Sequence, residues 1–503
     1  MSNDSDKSLR DKAQGVIFGG AAGDALGYAV EFMDLTEIHD SYGEHGIREY
    51  ELDANHTALF SDDTQMTLFT AEGLLSATLG HEKPDLGAII SSLKASYSAW
   101  LATQTDFQLP LPTSWLTHLR ALWARRAPGN TCISSLQALR QGKDVANDSK
   151  GCGGVMRIAP VAVWAAARDD MDDVMVARIA AEAAKITHHN VQSTCASALT
   201  ALIIYKCMLS GNTDSALFRS IVESSLPVAL MLASDPKEKE YFRSIIEKSL
   251  RLAESEVSDI EAIRRLGEGW VAEETIAIAI FCVMRHIDDF GAALESSVNH
   301  DGDSDSTGAV TGNIAGALTG YAGIPEKFKR NLQLADVLLS VADDLCGASP
   351  GRQMIKRYKE HKICGVAEEE KFISGMKFTD ENIKELGEDE VFVFGSNKAG
   401  HHAGGAARIA ARKFGAVWGQ GVGMQGQSYA IPTMQGGVET IKPYVDDFIE
   451  FASDCDQNPF LVTRIGCGIA GFTDAEIAPL FREALKLYNV RLPESFVRIL
   501  LDE

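Results

Sequence analysis

Long uncharged apolar runs are missing from this 503-residue sequence. Stretches such as Thr275 to Met284 fall well short of the roughly 18 to 20 residues that span a bilayer, so no membrane-crossing segment is expected. Positive charge is in short supply, with 47 Lys and Arg against 70 Asp and Glu, a formal net charge of −23. That balance repels phosphate backbones and anionic lipid, which argues against nucleic acid and membranes as partners. The nine cysteines are an odd number and include no C-x-x-C pair, so reduced thiols are expected rather than a disulfide frame or a zinc site. The N-terminus, MSNDSDKSLRDK, has no apolar core ahead of a small-residue cleavage site, and a cytoplasmic location is the expectation. Proline is sparse, at 14 residues, and leaves helical periodicity largely uninterrupted.

What is present exceeds one hydrophobic core, since single cores stop growing at roughly 250 to 300 residues. Apolar residues recur at helical spacing through the first 350 positions, predicting an all-α bundle over 1–350. The clearest helices are Lys12 to Val30, Thr64 to Leu79, Leu86 to Leu101, Asp172 to Ile186, Gln192 to Leu209, Trp270 to His286 and Asp305 to Leu318. A densely charged stretch over 351–375 reads as a linker. Beyond it, over 376–503, VFVF (Val391 to Phe394) and PFLVT (Pro459 to Thr463) are short strands, each followed by a glycine loop and a helical segment, predicting an α/β domain. Gly15, Gly19, Gly23 and Gly27 fall every fourth residue, near one helix face, where they let another backbone approach closely inside the bundle.

Two acidic clusters precede helices. In Ser61-Asp62-Asp63-Thr64, Ser61 can cap the helix and the two carboxylates can occupy its positive first turn. In His300-Asp301-Gly302-Asp303-Ser304-Asp305-Ser306-Thr307, carboxylates alternate; counting Asp301 as position one, Ser306 stands where a calcium loop needs Gly and Gly312 where it needs Glu. The alternative is one shared site, whose hard oxygens suit one or two Mg²⁺ or Mn²⁺ ions. Ser149 to Gly154 packs three glycines before a helix and can offer N–H groups to a phosphate; the other reading is a flexible turn. His188 lies between two helices, where a cap is the ordinary role, and Glu31, after the glycine-spaced helix, is ordinarily a solvated carboxylate.

Taken in order, GGAAGDALGYAVEF, SDDTQM, SKGCGGVMRIAPVA, ITHHN, GWVAEETIAIAIFC and HDGDSDSTGAVTGNIAGA resemble the ADP-ribosylglycohydrolase family over about residues 10 to 345. The resemblance implies an all-α bundle with a binuclear Mg²⁺ or Mn²⁺ centre that hydrolyses the bond between ADP-ribose and a modified side chain, commonly arginine. It carries metal binding to Ser61, Asp62, Asp63, Asp303, Asp305 and Ser306, with Ser61 and Ser306 standing where the family has Thr. It makes Glu31 a gate or general base and puts Asp62, Asp63 and Asp303 in the catalytic set. His188 falls near the ribose or adenosine, and Ser149, Gly151, Gly153 and Gly154 in the diphosphate loop. A catalytic Asp of some members has no counterpart, since the comparable place reads Arg126-Ala127-Pro128-Gly129-Asn130-Thr131; Asp106 is a substitute candidate.

In the tail, VFVFGSNKAGHHAGGAARIAARKFGA and NPFLVTRIGCGIAGFTDAEI each place a glycine loop after a strand. They resemble a divergent macrodomain, a family that binds ADP-ribose. That resemblance implies contacts from Asn397, Gly404 and Gly405 and from a second loop, Gly466 to Gly471, that includes Gly468. The expected partners are thus an ADP-ribosylated protein and ADP-ribose. Two other readings are a protein that binds and blocks a cognate ADP-ribosyltransferase or its target, and a hydrolase of a free ADP-ribose derivative.

Overall fold

The computed structural model describes the chain except residues 1–2, 81–82, 106–110, 112, 212–213, 363–377, 381–382, 388, 456–457, 488 and 503. The chain divides into two compact units, one formed by Met1–Gln104 and Leu111–Glu369, the other chiefly by Glu370–Glu503.

The first unit is helical. The helices that build or support the site are α1 (Asn3–Tyr28), α2 (Asp62–Gly80), α3 (Leu86–Thr105), α4 (Asn130–Arg140), α5 (Ala159–Ala166), α6 (Asp173–Lys185), α7 (Val191–Leu209), α8 (Ala272–Arg285), α9 (Ser304–Gly323, broken at Gly320) and α10 (Gly351–Tyr358). Residues Gln192 to Tyr205 of α7 are all buried, which makes α7 an axis of the bundle and explains why its apolar residues and its small buried polar ones fall on every side. Among the described residues no helix is long and apolar enough to cross a membrane. The charged stretch expected as a linker begins as helix α10: Arg357 and Tyr358 are buried there, both donating to the Asp344 carboxylate, with the guanidinium 5.5 Å from the Trp115 ring centre.

The spaced glycines of α1 pack against the backbone of α9. A Cβ placed on Gly15, Gly19, Gly23 or Gly27 would lie 2.3, 2.4, 1.9 or 2.1 Å from the carbonyl oxygen of Gly316, Gly312, Gly308 or Ser304 respectively. Partner numbers fall as the glycine numbers rise, so the helices run antiparallel in one register. Asn313 closes the seam by donating to the Val16 carbonyl at 2.8 Å. The end of α1 therefore lies beside the start of α9, which sets Glu31 next to Asp303 and Asp305.

The second unit holds a five-stranded mixed sheet: β1 (Val391–Ser396), β2 (Gly423–Gln425), β3 (Ser428–Pro432), β4 (Phe460–Val462) and β5 (Val490–Arg491), in the order β2-β3-β1-β4-β5. All neighbours are parallel except β2, which is antiparallel to β3. Strand alternation sends Phe392 and Phe394 toward α11 (Gly405–Lys413), with Ala407 and Ala410, and Val391 and Val393 toward α12 (Val438–Asp454), with Ile441, Val445 and Phe448.

Candidate active site

The site begins with Asp24, fully buried inside α1. Its carboxylate accepts from the Ser61 N–H at 2.8 Å, the Thr64 N–H at 2.9 Å and the Thr64 hydroxyl, and so holds the N-terminus of α2 against α1. The Ser61 hydroxyl accepts from the Asp63 N–H at 3.2 Å, as a helix-starting residue does. Asp62 and Asp63 then occupy the first turn of α2. From the facing helix, the Ser306 hydroxyl donates to the Asp63 carboxylate at 2.8 Å, and Asp303 donates its N–H to the Glu268 carbonyl at 2.8 Å. The two acidic clusters, far apart in sequence, thus become one. Asp301 points elsewhere, accepting from the Leu35 N–H at 2.8 Å and pairing with Arg264.

These groups floor a cavity of about 540 Å³ lined by Glu31, Asp62, Asp63, Asp303, Asp305 and Ser306. Its walls are Arg125, the 127–132 segment, the Gly151–Gly153 turn, Met156, His188 and two aromatic residues, Phe32 and Trp270, stacked 6.2 Å apart. The glycine turn is stitched to the chain near Trp270: the Cys152 N–H donates to the Trp270 carbonyl at 3.2 Å and the Ala272 N–H to the Lys150 carbonyl at 2.8 Å. A Cβ on Gly153 would meet Cys132 Sγ at 2.7 Å and the His188 ring at 2.8 Å, so a side chain there would displace the cavity wall. Three expected residues do not line the cavity: Ser61 sits behind it, Ser149 shares a hydrogen bond with the Thr131 hydroxyl at 3.1 Å, and Gly154 faces Ser193 and Ala184. Asp106 lies outside the described residues.

The electrostatics are those of carboxylates crowded away from water. Ligand oxygens of Glu31, Asp303 and Asp305 lie within 4.8 Å of one another, and Glu31 Oε2 and Asp303 Oδ2 are buried without a hydrogen-bond partner. Among the described residues none of Glu31, Asp62, Asp63, Asp303 and Asp305 forms an ion pair. Burial, reinforced by Asp305, Asp62 and Asp24, pushes the Glu31 carboxyl up to about 10. Burial and Asp305 likewise raise Asp62, Asp63 and Asp303 well above the carboxylate range, and Asp24 to about 7. Orphaned buried oxygens, several carboxylates and no cation form a donor set that fits hard divalent metal ions. His188 is the opposite case: burial, with the charges of Arg157 and His189, lowers it to about 3, so it stays neutral, with Nδ1 2.8 Å from the Thr187 hydroxyl.

A second cavity, of about 490 Å³, belongs to the second unit and opens at the carboxyl ends of β1, β3 and β4. Asn397, Gly404, Gly405 and Gly468 line it with Arg464 and Thr433. The Asn397 side chain closes its own loop, donating to the His401 carbonyl at 2.9 Å and accepting from the His401 N–H at 3.1 Å, while α11 starts at the cavity edge.

Sequence reasoning missed several residues. Asp24 carried no sequence signal of this role, because its partners are 37 and 40 positions away. Phe32, Cys132 and Cys152 carried no spacing signal, although Cys152 stood inside a quoted motif. Glu72, on α2, is fully buried and accepts from the Ser114 hydroxyl at 2.7 Å, the Trp115 N–H at 3.0 Å, the Ser96 hydroxyl at 3.1 Å and the Leu116 N–H at 3.4 Å. It anchors the segment that leads into the 125–132 wall.

Residues 5–354 match the family model described as ADP-ribosylglycohydrolase. The chain is 25% identical over 351 residues to the ADP-ribosylarginine hydrolase Tri1 of Serratia proteamaculans, covering 68% of this chain and 80% of that protein. It is 23% identical over 337 residues to the ADP-ribosyl-[dinitrogen reductase] glycohydrolase of Rhodospirillum rubrum, covering 65% and 92%. A solved chain described as an ADP-ribosylglycohydrolase-related protein complex superposes with a TM-score of 0.46 at 22% identity, covering 68% of this chain and all of that one. The family match ends at residue 354 and does not reach the sheet of the second unit.

Proposed function

Because the chain belongs to the ADP-ribosylglycohydrolase family, we propose that it is a metal-dependent hydrolase that removes ADP-ribose from modified protein side chains, arginine first among them, at the 540 Å³ cavity of its first unit. The observation that carries this reading is the meeting of Glu31, Asp303 and Asp305 within 4.8 Å, with two buried oxygens left unpaired, beneath a glycine turn. The arginine linkage draws support from the Serratia relative, named for that linkage.

Each residue has work that suits its chemistry. Cleavage at the anomeric carbon of ribose passes through an oxocarbenium-like state, in which water is deprotonated and the leaving guanidine protonated. Asp62, Asp63, Asp303, Asp305 and Ser306 would hold Mg²⁺ or Mn²⁺, and Ser61 braces Asp63 from behind. A pair of such ions supplies Lewis-acid polarisation and a fixed template for the ribose hydroxyls. Glu31, at the edge of the cluster with Oε2 free and ionised once divalent cations offset its carboxylate neighbours, would take the proton from the attacking water and return it to the leaving nitrogen. The Gly151–Gly153 backbone receives the diphosphate. Neutral His188 orients the ribose as a hydrogen-bonding group and cannot repel the developing positive charge.

The proposal extends to the second unit. Its cavity lies where open parallel sheets take phosphate ligands, at the carboxyl ends of the strands and the start of a helix. With the macrodomain resemblance, this supports retention of ADP-ribose by Asn397, Gly404, Gly405 and Gly468. The working domains are then 1–350 and 376–503.

The test is release of ADP-ribose from an arginine-ADP-ribosylated protein, with Mg²⁺ or Mn²⁺ and with chelator, comparing the wild type with Asp62→Ala/Asp63→Ala. Metal-dependent release that falls at least 100-fold in the double variant is expected; removing an essential catalytic group commonly costs that much. No release from arginine- or serine-linked substrate would shift the reading to a protein that blocks a transferase or its target.

A further inference from the structure

The glycine turn delivers to the carboxylates one side chain of a different chemistry. The Cys152 backbone is held at both ends: its N–H donates to the Trp270 carbonyl at 3.2 Å, and its carbonyl accepts from the N–H groups of Val155 at 2.8 Å and Met156 at 3.1 Å. Its thiol lines the same cavity as Asp62, Asp63 and Asp303 and lies beside the Asp303 carboxylate and the Ser306 hydroxyl. The second, independent observation is Asp303 itself, 2% exposed and lining that cavity with Oδ2 unpartnered, as Glu31 Oε2 is at 7% exposure. An oxygen-only site binds hard cations; a thiolate among its donors adds affinity for soft ones.

We propose that Cys152 is a sulfur donor to the cation site, which makes it a mixed oxygen–sulfur centre that takes thiophilic divalent ions, Cd²⁺ and Zn²⁺, in competition with Mg²⁺ and Mn²⁺. This rests on reading the carboxylate cavity as a cation site. On coordination the metal–sulfur bond forms and the thiol proton passes to solvent, with no oxidant involved. The consequence is chemical selectivity against the ions the reaction needs: a trace of thiophilic metal occupies the centre and displaces them.

The experiment titrates the metal-free full chain with Cd²⁺, without substrate, and reads the ultraviolet charge-transfer band of a cadmium–thiolate bond. A saturable band is expected in the wild type, abolished by excess Mn²⁺. It is expected to vanish in Cys152→Ser, to need about tenfold more Cd²⁺ or greater in Asp303→Asn, and to persist in Cys132→Ser, whose sulfur lines the same cavity. No band in the wild type, a band unchanged in Cys152→Ser, or a band indifferent to Mn²⁺ would overturn the proposal. The Mn²⁺ competition uses only the wild type, so the test survives a variant that fails to fold. Because no turnover is read, failure here leaves the hydrolase reading standing, and an inactive protein that shows the band leaves this one standing.

Discussion

Replacing Glu72 by Gln gives a quantitative test of how the helix that carries Asp62 and Asp63 is held to the segment leading to the cavity wall. Burial raises the Glu72 carboxyl from its ordinary 4.5 to about 7, despite four donated hydrogen bonds. The folded state therefore binds this proton more tightly than the unfolded chain. Stability from the group is greatest at low pH and declines as pH rises from about 4.5 through about 7. A gap of about 2.5 units corresponds to about 3 kcal/mol lost by pH 8. Gln keeps the shape: its oxygen can accept from the Trp115 and Leu116 N–H groups, and its amide can donate to the Ser96 and Ser114 hydroxyls, which rotate to accept. The variant carries no charge at any pH. For a first unit of about 360 residues, unfolding entropy of about 0.7 kcal/mol per kelvin turns the 3 kcal/mol into a melting temperature roughly 4 °C above wild type at pH 8. The difference shrinks to roughly 1 °C at pH 5. Thermal melts followed by tryptophan fluorescence across that range measure it. A pH-independent difference, or a Gln variant less stable than wild type at pH 8, would refute the assignment of a buried, proton-binding Glu72.

Gly23→Ala drives a methyl to 1.9 Å from the Gly308 carbonyl oxygen, against backbone that cannot rotate away. A loss of about 2 kcal/mol, net of the helix propensity gained, is expected in denaturant unfolding, with weakened Mn²⁺ binding; Gly211→Ala, which meets nothing within 4 Å, serves as the neutral control. Mn²⁺ at about 100 times its dissociation constant should stabilise the wild type by about 2.7 kcal/mol, a shift absent or much reduced in Asp303→Asn when melts with and without metal are compared. Gly468→Val should leave the second unit folded, since a Cβ there contacts nothing, yet abolish ADP-ribose binding to that unit in calorimetry.

Much of this architecture was legible in the sequence because the signals are local. The seven helices read from periodicity are present, and the two glycine-flanked apolar runs are β1 and β4, hydrogen-bonded neighbours. The first helix starts nearer the terminus, at Asn3, because the sequence NDSDKS has no apolar period to betray it. Strand β3, beside β1, went unread: Ser-Tyr-Ala-Ile-Pro offers too short an apolar run, though all five residues are buried. At the site, the carboxylates were visible as clusters, and their convergence was implied by family resemblance. Asp24 and Glu72 were invisible, because a buried carboxylate is recognised by donors from distant segments, and sequence spacing does not report those.

The glycine seam also sets when a functional site can exist. Helix α1 leaves the ribosome well before its partner α9, which begins at Ser304, some 270 residues later. At about 5 to 20 residues per second of synthesis, that is on the order of 15 to 55 s of waiting. Until then α1 shows its partner a strip of bare backbone, which gives premature apolar contacts little to grip. Closing a loop of that length costs about 5 kcal/mol of chain entropy, recovered only when the whole seam docks. The carboxylates are thus kept apart until α9 has been made, and a chain cut before Asp303 lacks half of the shared cluster.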